Sequence, residues 1–256
     1  MGFSPRPRDM IDTAPRFTAA DAIRLNTRFA EAGPEALLRA VLTEGAAGRV
    51  AVVSSFGTES AVLLHLVAAI DPATPVIFLE TLKHFPETLA YRDELIERLG
   101  LTDLRVIRPD EARLAERDAT GLRWSYDPDG CCEIRKVEPL ARALDGFDAS
   151  ITGRKGFQAA TRAGLPAFEL DTADATGRLK VNPLAGWAKP DLDRYFAAHD
   201  LPRHPLEANG YLSIGCSPCT SVVRPGEDPR AGRWRGWEKV ECGIHFPADG
   251  PNQPSF

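Results

Sequence analysis

"RVAVVSSFGTESAVLLHLVAAI", residues 49–70, decides the architecture. Residues 49–55 are a β-rich apolar run and read as a strand, and 61–70 read as an apolar helix. The pattern repeats further along the chain. "PVIFLE" (75–80) predicts a strand, and "ETLAYRDELIERLG" (87–100) an amphipathic helix closed by a C-cap glycine. "LRVIRP" (104–109) predicts a strand, "RKVEPLARAL" (135–144) a helix and "FDASITG" (147–153) another strand. Strands alternating with helices imply an α/β fold, a mostly parallel twisted sheet with helices on both faces. Its ligand site is expected at the carboxyl ends of the strands. From about residue 216 the periodicity fades into a Pro/Gly-rich stretch that reads as a mobile tail or lid.

The chain of 256 residues is long enough for one large domain or for one domain and a small appendage. With 43% hydrophobic and 26% charged residues it has the composition of a soluble globular protein. A net charge of −5 supplies no global field for nucleic acid, although a local basic pocket stays compatible with it. No segment is apolar for long enough to cross a bilayer, and the polar, Pro-rich start lacks the apolar core of a signal peptide. The expected compartment is the cytoplasm.

Five cysteines are an odd number, and a reducing compartment favours metal binding or redox chemistry over structural disulfides. Four of them form two tight pairs in turn-like, glycine-flanked stretches: Cys131 and Cys132 in "DPDGCC", Cys216 and Cys219 in "IGCSPC". Four thiolates can hold zinc or an iron–sulfur cluster. Adjacent cysteines reach two corners of one tetrahedron only with strain and address two irons of a cube more easily. The spacing therefore leans towards a [4Fe–4S] cluster over zinc. The fifth, Cys242, lies in "WEKVECGIH" with Lys239 and His245 nearby, while Glu241 opposes thiolate formation. "SSFGTES" (54–60) aims hydroxyls, backbone N–H groups and a helix N-terminus at one point suited to an anion; the plain alternative is a strand-to-helix turn with a serine cap.

"SSFGTES", "LETLKHFPET", "CCEIRKVEPL", "ITGRKGFQAATR", "GCSPCT" and "RAGRWRGWEKVECGIH" together resemble the assimilatory adenylyl-sulfate reductases of the PAPS/APS reductase family, within the ATP-pyrophosphatase-like group. The resemblance runs from about residue 45 to the final "ECGIH". It implies that adenosine 5′-phosphosulfate (APS) is converted to AMP and sulfite through an S-sulfocysteine on Cys242, with thioredoxin as electron donor. It implies further that Cys131, Cys132, Cys216 and Cys219 hold a [4Fe–4S] cluster, with Lys136 between cluster and substrate. Ser54, Ser55, Gly57 and Ser60 would bind adenylate or sulfate oxygens, and Leu79 and Glu80 would flank the nucleoside. Arg162, Arg230, Arg233 and His245 complete the implied substrate contacts, and a homo-oligomer is compatible with all of this. Residues 1–44 then form an N-terminal helical extension, 45–215 the nucleotide-binding domain, and 216–256 a segment carrying Cys-x-x-Cys and the catalytic tail.

Two motifs depart from the family pattern. "ETLKHFPET" has Glu80 where an aspartate is usual and Leu82 where a glycine is usual, and Phe157 and Ala159 replace polar positions in "GRKGFQAATR". His65 reads as packed in its apolar helix, not as a base. The paired cysteines favour APS over its 3′-phosphorylated form (PAPS). The alternatives are a cluster-bearing PAPS reductase, a tRNA-thiolating adenylylating enzyme, and a zinc-stapled binding module without catalysis.

Overall fold

The computed structural model describes residues 16–158, 162–239 and 241–245. Helices α1 (Ala19–Arg28) and α2 (Pro34–Thr43) come first. Thr18 and Asp21 cap α1 reciprocally, each side chain bonding the other's backbone N–H. Ala22, Leu25, Leu37, Leu38 and Val41 of these helices are buried in the same core as the central sheet.

The alternation then unfolds as β1 (Val50–Val53), α3 (Ser60–Ala68), β2 (Val76–Leu79), α4 (Pro86–Leu99), β3 (Leu104–Ile107) and α5 (Glu111–Arg117). α3 is apolar almost all round and buries Ala61, Val62, Leu63, Leu64, Leu66 and Val67, as befits a helix between sheet and outer layer. α4 ends on Gly100 at φ 64°, the left-handed cap that glycine adopts at least cost.

The segment around the first cysteine pair is helical, which corrects the turn-like reading. α6 (Pro128–Cys132) passes into a π-helical stretch, Glu133–Val137, and then into α7 (Glu138–Ala143). The Asp127 carboxylate accepts the Gly130 N–H at 2.8 Å, and Pro128 stands at the first helical position, where its missing N–H costs nothing. Gly130 is needed for space, because a Cβ there would meet the Asp127 carboxylate and the Arg123 guanidinium.

β4 (Ala149–Thr152), β5 (Phe168–Leu170), β6 (Leu179–Val181) and α8 (Lys189–Ala198) complete the layers. The sheet order is β3-β2-β1-β4-β6-β5, parallel except for the β5–β6 pair. The expected α/β sheet is thus present, with an antiparallel edge strand added. Strand order reverses direction between β1 and β4, so the loops following them diverge and leave a crevice at the carboxyl edge.

Residues beyond 216 do not form long regular elements, but they are packed, which corrects the reading of a mobile tail for the described part. Trp234, Lys239, Glu241 and Cys242 are buried, and Thr220 and Arg233 form an antiparallel bridge. Isolated ion pairs and one tryptophan anchor this segment, and neither produces a sequence period. Among the described residues, no helix is long and apolar enough to cross a membrane.

Candidate active site

The loop after β1 carries the first group of expected residues. Ser54 is buried, and its hydroxyl accepts the Phe56 N–H at 3.2 Å. Phe56 sits at φ 49°, a left-handed conformation held by burying its ring edge-on against Phe78 at 5.5 Å. Ser55 is exposed, and Gly57 faces the Ile214 carbonyl. Ser60 opens α3, whose N-cap is Glu59 without a side-chain cap, so the serine-cap alternative is not what forms.

The loop after β2 begins at buried Leu79 and Glu80. Glu80 turns its carboxylate into the loop itself, accepting the Leu82 N–H at 2.9 Å and lying 3.1 Å from His84 Nδ1. Burial holds the His84 imidazole below its usual pKa, against the pull of Glu80. Leu82 has φ 62°, the left-handed conformation for which glycine is the natural residue. The leucine noted in the sequence thus stands in a conformation that suits the glycine usual at that position. Next to it, the Thr81 hydroxyl is 3.3 Å from Cys216 Sγ, and the Ser217 N–H donates to the Lys83 carbonyl at 2.7 Å. These contacts tie the Cys-x-x-Cys turn to the sheet's edge.

The four paired cysteines come together. Cys131, Cys132, Cys216 and Cys219 line one pocket with Arg135, Lys136 and Trp234. All four are free of disulfides; three are buried and Cys219 is half-buried. Burial pushes the Cys131 thiol up to about 11, and burial raises Cys219 as well. Among the described residues, no three His, Cys, Asp or Glu side chains stand close enough to hold an ion as placed. The donor set nevertheless fits an anionic metal–thiolate group: four sulfurs line one pocket together with Lys83, Arg135 and Lys136.

Arg135 anchors this pocket from behind. Its guanidinium donates to the Thr81 carbonyl at 2.9 Å and to the Asp118 carboxylate at 2.6 Å, with both side chains buried. Removing one partner leaves a buried charge unpaired. Asp118→Ala should therefore cost about 3 to 5 kcal/mol, read as a lower denaturant midpoint in urea.

Cys242 lies buried against Cys132 and Trp234. A hydrogen bond from Cys132 holds the Cys242 sulfur well below the usual thiol range; Lys136, the Ile244 N–H and Lys239 act in the same direction and burial opposes them. The same contact, with burial, pushes Cys132 up. Burial alone would lower the Lys136 ammonium, but the sulfurs of Cys216, Cys242 and Cys132 outweigh it and raise its pKa. Lys239 pairs with Asp129 and lies 5.5 Å from the Trp234 ring centre. Gly243 lets the tail approach the π-helical stretch, since a Cβ there would lie 3.2 Å from Val137 Cγ2.

The expected arginines divide. Arg162 is buried and grips Glu241 with two bonds, of 2.8 and 2.9 Å, and Arg230 reaches the same carboxylate at 3.2 Å. Arg233 stacks over Trp234 at 4.4 Å and donates to the Ile214 carbonyl at 3.2 Å. Arg162 and Arg230 thus both engage Glu241, and Lys136 and Lys239 lower Cys242, with Arg230 also close enough to feel its charge. The side chain of His245, like Ala159, lies outside what is described. His65 is half-buried at 2.8 Å from the Tyr195 hydroxyl, a packing role as expected.

Several site residues were not singled out in the sequence. Lys155 is buried in the loop after β4 and pairs with Glu59 at 3.0 Å. Gln158 links Glu59 (2.9 Å) to Arg162 (2.7 Å), so tail and β1 loop are joined through side chains. Burial pulls Arg154 down to about 10, with Arg162 next to it. Lys180 on β6 bonds Asp171 at 2.7 Å and the Ile244 carbonyl at 3.4 Å. The one available signal was the basic pair in "TGRKG", directly after a strand.

The mostly parallel six-stranded sheet, with its switch point between β1 and β4, defines an α/β fold of the ATP-pyrophosphatase-like kind. Candida glabrata FMN adenylyltransferase in complex with FAD and inorganic pyrophosphate shares this fold at a TM-score of 0.53 and 14% identity, over 87% of this chain and 84% of that one. Within that class the chain belongs to the phosphoadenosine phosphosulfate reductase family, whose domain matches residues 49–222. A Mesorhizobium japonicum protein named adenosine 5′-phosphosulfate reductase is 52% identical over 94% of both chains. A Gloeobacter violaceus protein named phosphoadenosine 5′-phosphosulfate reductase is 41% identical over 86% of this chain and 92% of its own. Among solved structures, the phosphoadenylyl-sulfate reductase of Candida auris in a phosphate complex aligns at a TM-score of 0.67 and 28% identity, over 81% of this chain and 98% of that one.

Proposed function

We propose that this protein reduces adenosine 5′-phosphosulfate to sulfite and AMP in assimilatory sulfate reduction, with thioredoxin as the reductant, in the cytoplasm. The observation that carries the reading is the packing of Cys242 against Cys132, one of the four paired cysteines, with the adjoining Glu241 held by Arg162 and Arg230.

In the proposed reaction, Cys242 acts as a thiolate and needs no base. Its sulfur attacks the sulfonate sulfur; an S–S bond forms while the S–O bond to the phosphate breaks, and the bonding pair leaves with AMP. A thiolate of reduced thioredoxin then attacks the Cys242 sulfur. Sulfite departs with the S–S electron pair, and the second thioredoxin thiol resolves the mixed disulfide. The two electrons come from the dithiol. Arg162, Arg230 and Arg233 would bind the phosphosulfate oxygens in pairs, and the uncapped first turn of α3, with Ser54, Ser55, Gly57 and Ser60, would receive adenylate oxygens. Leu79 and Glu80 are the proposed nucleoside neighbours and His245 a further contact. Lys136 would stabilise the charge that gathers on the leaving phosphate.

Cys131, Cys132, Cys216 and Cys219 would hold a [4Fe–4S] cluster, supported by their convergence on one pocket. When bound, the cluster supplies a compact negative charge beside Lys136 and cross-links α6 to the Cys-x-x-Cys turn.

The test is intact-protein mass after purified, reduced protein meets APS, followed by peptide mapping. The expected result is one added SO₃ on Cys242, removed by reduced thioredoxin, in protein that contains iron and acid-labile sulfide. Protein with its iron and sulfide that stays unmodified by both APS and the 3′-phosphorylated form would refute the mechanism. Zinc without sulfide would refute the cluster.

A further inference from the structure

Glu241 is the residue that the reductase reading leaves unexplained. It is buried directly before Cys242 and takes two guanidinium groups, Arg162 through both oxygens and Arg230 at 3.2 Å. Both arginines are assigned above to the substrate anion. A single carboxylate brings one negative charge to two arginines, whereas a phosphosulfate group brings two. The substrate is therefore the better ligand for the pair, and it must displace Glu241 to reach them.

Glu241 is buried and held through both oxygens, so its carboxylate has little room to swing aside by side-chain rotation and leaves most easily with its backbone. Neighbouring Cα atoms are about 3.8 Å apart across a trans peptide, so that movement shifts Cys242 as well. Cys242 is at that moment packed against Cys132 and Trp234. Resting on the reductase reading, we infer that Glu241 is a positioning residue: it fills the anion site in the nucleotide-free enzyme, and its displacement by the substrate anion releases Cys242 from Cys132 for attack. The chain of bonds from Glu241 through Arg162 and Gln158 to Glu59 at the start of α3 carries the same exchange to the β1 loop. The enzyme thus unpacks its thiolate only when an anion of the right charge occupies the crevice.

The experiment follows alkylation of Cys242 by iodoacetamide in the cluster-bearing protein, read by peptide mass. In the wild type, inorganic sulfate at constant ionic strength should speed alkylation by at least about fivefold, the lower end of ordinary site-to-site coupling. Glu241→Gln should be alkylated at least about fivefold faster without any anion, lose its response to sulfate, and bind AMP at least about fivefold more tightly. Glu241→Asp should restore part of the slow rate. A Glu241→Gln protein with wild-type alkylation and AMP affinity overturns the inference. Should that variant not fold, a wild-type rate indifferent to sulfate overturns it alone. Failure of the reductase reading looks different: alkylation behaves as expected, and APS leaves no SO₃ on Cys242.

Discussion

Cys242→Ser should bind AMP with wild-type affinity and produce no sulfite, a fall of at least about 10⁴-fold in turnover. The argument is chemical. The serine hydroxyl is not ionised near neutral pH, and the proposed reaction has no base to ionise it. In the native protein Lys136, the Ile244 N–H and Lys239 pull the Cys242 thiol down independently of Cys132. Geometry is preserved in the variant, because Ser is smaller and Trp234, Gly243 and the Glu241 pairs still dock the tail. A sulfite assay alongside AMP calorimetry checks both halves. Turnover persisting in the serine variant would remove Cys242 from the chemistry.

That outcome matters for how far the chain can be read from its letters. The strand–helix alternation between 49 and 153 was legible because each strand is short, apolar and followed by a turn signal. β5 and β6 were not, because three-residue strands are too short to display a period, and they pair with each other and β4 only in space. α5 and α8 were likewise not singled out. Around the site, residues with distinctive chemistry were readable: the four paired cysteines do share a pocket with Lys136. Residues whose meaning depends on a partner were not. Glu241 read as an obstacle to thiolate formation until Arg162 and Arg230 were seen to hold it, and Lys155 had no visible role until Glu59 stood beside it. Leu82 is the instructive intermediate, where a side chain looked foreign while its backbone angle is one that suits glycine.

Lys136→Ala should lower turnover by about 10²- to 10³-fold, the usual consequence of removing one preorganised cationic or hydrogen-bonding group from developing charge. Lys136 is the cation that senses Cys132, Cys216 and Cys242 at once. Its loss should also slow alkylation of Cys242, since one of the groups that favours the thiolate is gone. Lys136→Arg should not restore activity, because a planar fork cannot occupy the place of a compact ammonium among three sulfurs. Steady-state kinetics with AMP affinity separates the effects: the loss is expected in turnover, with nucleotide affinity changed far less. Equal losses in both would make Lys136 a binding residue.

The π-helical stretch Glu133–Val137 carries one further consequence, for what mutation by deletion can do to this gene product. A π turn is an α-helix that has accommodated an extra residue. Loss of a single codon there would return the stretch to plain α-helix and keep Cys131 and Cys132 on the side they now share with Cys216 and Cys219. The same loss within α7, which has no extra residue to give up, would rotate everything before it by about 100°, one residue's worth of helix. The first cysteine pair would then turn away from the second in a protein of nearly normal secondary structure.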